Sequence, residues 1–248
     1  MASRWASWLG GWAAGTGGAA ARKDSLRGFA GRADLRAGVA RRPGRRGRER
    51  AGTTELQRVN GLWTNKVAIT NGPGAGLGTY VGTVRTNGSA TVDMKFGTLA
   101  ASGGESRICV WNMFNRVSVA ALVRDSTDSW TLAASSTRSA NASATMRCSF
   151  VCGLVEDLVS AMYACSVNAA GQAAAGVGLD STTTFSGYMM FNGSGNYIPA
   201  FGGYNGLPGL GFHYLQALEA SQVSGTQTFY GDVGVTYYQN GLSVGMRA

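Results

Sequence analysis

The sequence predicts an all-β protein: a jelly-roll-like antiparallel β-sandwich preceded by a disordered basic N-terminal tail. From Thr53 onward, short runs with period-two alternation or β-branched enrichment follow one another, separated by Gly, Asn, Ser and Asp. The chain has 38 Gly and only 14% charged residues, against roughly 25% in an average soluble protein. Such a composition favours turns and strands over long helices.

The charge divides the chain into two unlike parts. Residues 1–50 hold twelve Lys or Arg and three Asp or Glu, a net charge of +9, whereas residues 51–248 hold ten of each. Residues 1–52 are rich in Arg, Ala and Gly and poor in branched aliphatics, so they cannot offset the chain entropy lost on folding. We therefore expect a low-complexity, disordered tail.

The arginines of the tail gather at its end and are the candidate nucleic-acid contacts: Arg41, Arg42, Arg45, Arg46, Arg48 and Arg50. A cluster of this kind neutralises phosphates and releases counterions without reading sequence. Two other interpretations are open: a solvated flexible linker, or a segment read out of frame from GC-rich DNA. Nucleic acid is expected as a partner of this tail only, if at all.

Residues 53–97 are interpreted as a small β lead-in, with strands near 66–70, 79–85 and 91–97. The Asn87-Gly88 pair between the last two is a strong hairpin signal. Residues 98–248 are interpreted as the sandwich, because turn signals recur every ~8–12 residues. Its strands are expected near residues 107–114, 117–125, 130–133, 145–151, 155–167, 171–180, 183–191, 212–220, 226–231 and 241–246.

Chemistry-bearing residues are few. A Ser–His–Asp triad would need His213, the only histidine, with Asp180 or Asp232, and the one G-x-S-x-G pattern, at residues 241–245, falls in an expected strand instead of the strand-to-helix turn that presents a nucleophilic serine. Glu156 and Asp157 are adjacent, so in a strand they would point to opposite faces. We expect no enzymatic activity and no catalytic residue, with His213 making a structural hydrogen bond.

No metal, cofactor or membrane span is expected either. One histidine leaves few partners for zinc, and no stretch approaches the ~20 apolar residues that a span needs. The four cysteines lie in apolar, strand-like stretches and are interpreted as buried free thiols, although a disulfide is also compatible with the sequence. They are Cys109, Cys148, Cys152 and Cys165.

Two groups of residues are candidates for contacts. Trp111 is expected to anchor the core or a subunit interface, with Asn112, Asn115 and Arg116 satisfying backbone groups at a strand-to-strand turn. Five aromatics expected in exposed loops are candidates for sugar or receptor contact, with packing between subunits an equal alternative. These five are Tyr188, Phe191, Tyr197, Phe201 and Tyr204.

Several blocks in order resemble a family of phage and prophage particle proteins of the tail-fibre-like or head-fibre-like kind. These blocks are residues 80–86, 110–112, 115–117, 128–130, 178–183, 213–215, 218–219, 228–231 and 239–242. The resemblance covers about two-thirds of the chain and implies a homotrimeric part of the virion with a C-terminal β-sandwich.

The function expected from this resemblance is that of a structural fibre or spike subunit involved in host attachment. Its expected partners are copies of itself, other virion proteins and a host-surface glycan. The charge division keeps an alternative open, a jelly-roll coat protein whose Arg-rich arm binds the genome. A secreted bacterial lectin is a third alternative, which differs from the first mainly in its context.

Overall fold

The computed structural model describes residues 56–68, 73–89, 91–169, 171–192, 195–221, 225–235 and 239–248, together with the backbone of residues 25–31. Within this part of the chain, strands supply nearly all regular structure, and helix is limited to one 3-10 turn, Ala140–Ala142. The predicted all-β, sandwich-like fold class is confirmed.

A small N-terminal sheet is built around β4 (Gly78–Arg85). This strand pairs antiparallel with β1 (Ser25–Gly31), β3 (Leu62–Asn65) and β8 (Val110–Asn112), and β2 (Leu56–Val59) extends the sheet from β3. The strand expected at residues 66–70 therefore lies earlier, at β3. The Asn87-Gly88 hairpin is confirmed, since the Asn87 amide donates to the Thr91 carbonyl at 2.8 Å.

The first layer of the sandwich, which we call the front sheet, has β13 at its centre. β16 pairs along one edge of β13, and β18 and β19 follow one another along the other edge. Its strands are β6 (Leu99–Ala100), β9 (Ser118–Asp125), β10 (Ser129–Leu132), β13 (Val159–Ala169), β16 (Gly195–Gly206), β18 (Gln227–Tyr230) and β19 (Gly241–Arg247).

The second layer, the back sheet, is organised around β17. β14 pairs along one edge of β17, and β12 and β11 share the other. Its strands are β5 (Met94–Lys95), β7 (Ser106–Ile108), β11 (Thr137–Ser139), β12 (Arg147–Cys152), β14 (Ala173–Leu179), β15 (Met190–Asn192) and β17 (Gly211–Ser221). Most partners in both sheets are far apart in sequence, as in a jelly roll.

The main core lies between these two sheets. Along β13, burial alternates strictly, so that Val159, Tyr163 and Val167 point inward while the residues between them point outward. Phe150 and Leu215 meet them from the back sheet and are also fully buried. Each such side chain contributes about 1.5–3 kcal/mol when it leaves water. This alternation decides which side of the front sheet remains outward.

Two strand predictions are wrong. The sequence predicts no strand between residues 191 and 212, yet residues 195–206 form β16, because ten of their positions pair with β13 and non-local pairing overrides low local propensity. Gly202 allows β16 to lie close against β14 of the back sheet, since a Cβ there would be 2.4 Å from the Ala175 carbonyl oxygen. Conversely, the strand expected at residues 183–191 is reduced to β15.

The predicted boundary between the lead-in and the sandwich does not separate the observed sheets. β5, from the lead-in, joins the back sheet by pairing with β7, whereas β8, from the sandwich range, pairs with β4. Of the predicted tail, only the backbone of β1 is described. The remainder of residues 1–55, including the six clustered arginines, lies outside the described residues.

Candidate functional site

Trp111 lies in the core and is held by a carboxylate. The indole is only 1% exposed and stacks on Tyr80 at 5.6 Å between ring centroids. Its Nε1–H donates to Asp157 Oδ2 at 2.7 Å, and the other oxygen of Asp157 is paired with the Arg116 guanidinium, which lies 5.2 Å from the Trp111 ring. Gly153 packs directly against the indole, since a Cβ on Gly153 would be 2.2 Å from the Trp111 ring.

Asn112 organises the turn that follows β8. Its Oδ1 accepts the backbone amides of Phe114 and Asn115 at 2.9 and 3.1 Å. This turn places Arg116 beside Asp157, so the guanidinium pairs with a carboxylate instead of the backbone groups expected from the sequence. All four predicted residues thus lie at one place, and Trp111, Asn112 and Arg116 make structural contacts within the chain.

A second tryptophan repeats the arrangement between the sheets. Glu219 of β17 is fully buried and accepts Trp130 Nε1–H at 2.6 Å and Arg138 Nε–H at 2.7 Å. Burial raises the pKa of Glu219 above its usual value, against the lowering effect of these two hydrogen bonds. Sequence reasoning missed this network, because 89 residues separate its tryptophan from its carboxylate.

A third network joins β5, β7 and β12. Arg107 Nη1 lies 2.8 Å from Asp93 Oδ1, and Arg85 Nη1 lies 3.5 Å from Asp93 Oδ2. Glu105 accepts Arg147 Nε–H at 2.9 Å and Arg107 Nε–H at 3.1 Å. Although burial acts to raise it, the charges and hydrogen bonds of the two arginines hold the pKa of Glu105 below its usual value. Three arginines thus share two carboxylates, which leaves the network with a net charge of +1.

His213 does meet Asp180, one of the two aspartates that a triad would require. Its Nδ1 lies 2.8 Å from Asp180 Oδ2, and the Tyr214 amide donates to Asp180 Oδ1 at 3.0 Å. The Nε2 atom, which would have to contact a serine hydroxyl, is buried and has no hydrogen-bond partner among the described residues. In this arrangement the pair fastens the chain after β14 to β17.

The four cysteines are buried free thiols, so that interpretation is confirmed. Burial is the largest cause of the raised pKa of each: about 11 for Cys109 and about 12 for Cys148, Cys152 and Cys165. A thiol with such a pKa holds almost no thiolate at neutral pH, which leaves it a weak nucleophile and a weak metal ligand.

The candidate receptor aromatics do not lie in loops as expected. Three of them, Tyr197, Phe201 and Tyr204, belong to β16. The prediction that Tyr204 is exposed is wrong, because its side chain faces inward and is only 7% exposed. Tyr188 is exposed and forms an isolated bridge with Gly203 of β16. Phe191 lies in β15, and its side chain is outside the described residues.

The outward side of the front sheet, here called the outer face, gathers the exposed aromatics with exposed aliphatics. One row across the sheet runs Leu122, Ser243, Met162 and Gly203. The Tyr188 ring ends this row, since a Cβ on Gly203 would lie 2.5 Å from its hydroxyl. Leu122, Met162 and Tyr188 are 45%, 50% and 66% exposed, so the row forms an apolar ridge.

The rows on either side of this ridge are lower. One consists of Ala120, Gly245, Ser160 and Asn205. It forms the floor of an open trough of about 560 Å³, and a Cβ on Gly245 would meet nothing within 4 Å.

The other flanking row adds Gly241, Ala164 and the 37%-exposed Phe201. Arg124 of β9 stands beside Gly241 and completes this second row, since a Cβ on Gly241 would lie 3.4 Å from Arg124 Cγ. The trough is also lined by Arg116, Glu156, Asp157 and Arg247, so charged side chains border the uncharged ridge on both sides.

In the part of the chain that the structure describes, no three His, Cys, Asp or Glu side chains gather as metal ligands. Nor does that part contain a helix of the length and apolarity that crossing a bilayer requires. When the chain is compared with known proteins, no family model, no curated protein and no solved structure matches it. Its function is therefore inferred from the geometry of its own residues.

Proposed function

We propose that this chain is a structural subunit of a phage particle, of the fibre or spike type, which assembles with copies of itself and takes part in attachment to the host. The observation that carries the proposal is the outer face, whose central ridge is exposed, apolar and uncharged. Contiguous exposed apolar surface on a soluble domain marks a place where another molecule binds.

The distribution of ionisable groups supports an assembling scaffold. Six acidic residues of the described chain pair with arginine or histidine in the same chain: Asp93, Glu105, Glu156, Asp157, Asp180 and Glu219. Carboxylates engaged in this way hold strands together and are poorly placed for proton transfer. The zero net charge of residues 51–248 also removes long-range repulsion between copies.

A coat protein is the second candidate, because the six clustered arginines precede a neutral sandwich. In that case the tail would neutralise packaged nucleic acid, and the sandwich would form the shell. Binding to nucleic acid would then weaken steeply as salt rises, with a slope set by the number of phosphates contacted.

Light scattering on the purified full-length chain separates these functions. A closed species of about three chains is the result expected for a fibre or spike subunit, whereas particles of dozens of chains would replace that proposal with the coat protein. A monomer at tens of micromolar would contradict both. Retention of the chain on whole bacterial cells tests attachment, and binding no greater than that of an unrelated β-sandwich would remove the attachment role alone.

A further inference from the structure

We infer that the outer face is the surface through which one copy of this chain binds a second copy. This inference rests on the proposed self-assembly and names the surface responsible for it. The ridge formed by Leu122, Met162 and Tyr188 would enter the trough that lies one row away on a neighbouring copy.

The face is large enough for such a contact. Four neighbouring strands, β9, β19, β13 and β16, carry it, and β9 has eight residues. At about 4.8 Å between strands and 3.4 Å per residue, the projected area is roughly 500 Å² per copy. Two copies would bury about 1,000 Å² in total, before the relief of the side chains is counted, which is the lower limit for a biological interface.

The shape of the face is complementary to itself. The ridge and the floor of the trough are consecutive outward rows of the same strands, about 7 Å apart. Leu122 and Met162 protrude, whereas Ala120 and Gly245 in the next row leave the trough open. Ridge and trough can therefore meet reciprocally about a two-fold axis, or head to tail in a closed ring.

The chemistry also fits a second copy. The ridge itself contains no charge that would have to be desolvated on contact, and Ser160, Ser243 and Asn205 offer small hydrogen-bonding groups. Arg124 borders the ridge on one side, and on the other side the trough is lined by two basic and two acidic residues, Arg116, Arg247, Glu156 and Asp157. An apolar centre with a polar border is the usual anatomy of a protein interface.

The exposed aromatics lie on or beside the surface that would contact the second copy. Tyr188 and Phe201 lie in the ridge and the row beside it, and Tyr197 packs on Tyr230 at 4.6 Å between ring centroids further along the same side of the sheet. We therefore place these residues in packing between copies, which was one of the two roles that the sequence allowed.

The test places a charge on the ridge of the full-length chain. Met162→Glu and Leu122→Glu should raise the dissociation constant between copies by about 30-fold or more, measured by sedimentation velocity over a concentration series. The matched control is Leu62→Glu, because Leu62 is 50% exposed, as Met162 is, but lies in β3 of the N-terminal sheet, which contributes no strand to the face. The control should assemble like the wild type.

A second measurement does not depend on how well the glutamate variants fold. In Ser243→Cys, the new thiol stands in the ridge row, and the four native thiols are buried. A short bis-maleimide should therefore join copies through residue 243 and leave Leu62→Cys mostly unjoined.

The outcomes are distinguishable. A wild-type monomer would remove the proposed self-assembly together with this inference. An oligomer that withstands both glutamates, and whose copies are joined equally through residue 62, would overturn the outer face alone. A monomer that binds polysaccharide, and loses that binding in Met162→Glu, would show that the face takes a glycan instead of a second copy.

Discussion

Replacing Asp157 should destabilise the fold far more than replacing its neighbour Glu156. Asp157 is buried, accepts the Trp111 Nε1–H at 2.7 Å and pairs with Arg116, whose side chain is 23% exposed. In Asp157→Asn, the amide can accept only one of these two donors and turns its own NH₂ toward the other. Removing one partner of a buried ion pair costs about 3–5 kcal/mol.

Because solvent reaches part of Arg116, we expect the lower end of that range, about 3 kcal/mol. For a domain of 150–250 residues, this corresponds to a fall in melting temperature of roughly 6–12 °C. Urea unfolding followed by tryptophan fluorescence measures the free energy, and scanning calorimetry measures the melting temperature.

Glu156→Gln is the matched control, since it removes the same charge one residue away. The Glu156 carboxylate is paired with Arg58, but both side chains are about half exposed. An exposed pair contributes about 0–1 kcal/mol, so this variant should unfold almost like the wild type. If the two variants lost equal stability, the Trp111–Asp157–Arg116 network would not hold the N-terminal sheet as argued.

Three further predictions follow from the other networks. Gly153→Ala should lower the free energy of unfolding in urea by about 1–3 kcal/mol, because its Cβ would overlap the Trp111 ring. Gly88→Ala is the control and should leave that free energy unchanged, since a Cβ there would meet nothing within 4 Å. Equal losses in the two variants would contradict this prediction. Since the folded-state pKa of Glu105 is lowered from 4.5, its contribution to stability is present above that pH and is lost as pH falls below it. Glu105→Gln should therefore reduce the acid sensitivity of the melting temperature, and an unchanged pH profile would count against the network. All four thiols should resist a thiol reagent at pH 8 and react only in urea, because burial holds their pKa at about 11–12. Rapid labelling of the folded chain would disprove their burial.

The hairpin and most strands were predictable because their signals are local. Residues 117–125 and 212–220 alternate in hydrophobicity, and β9 and β17 lie there within one residue at each end. β16 could not be predicted, since its Gly-rich sequence has little strand propensity and gains its structure from β13. The polar networks were equally inaccessible, because Trp111 and Trp130 find their carboxylates 46 and 89 residues away.

By itself, the sequence determined the β-rich class of the fold, the separation of a basic tail from a neutral sandwich, and the apolar setting of the cysteines. These follow from composition and short-range periodicity, which need no knowledge of strand partners. Only the tertiary structure decided which side of each strand faces outward. Period-two alternation defines two sides, but the packing of one sheet on the other selects the buried one, and so brings Leu122, Met162 and Tyr188 together on a single exposed surface.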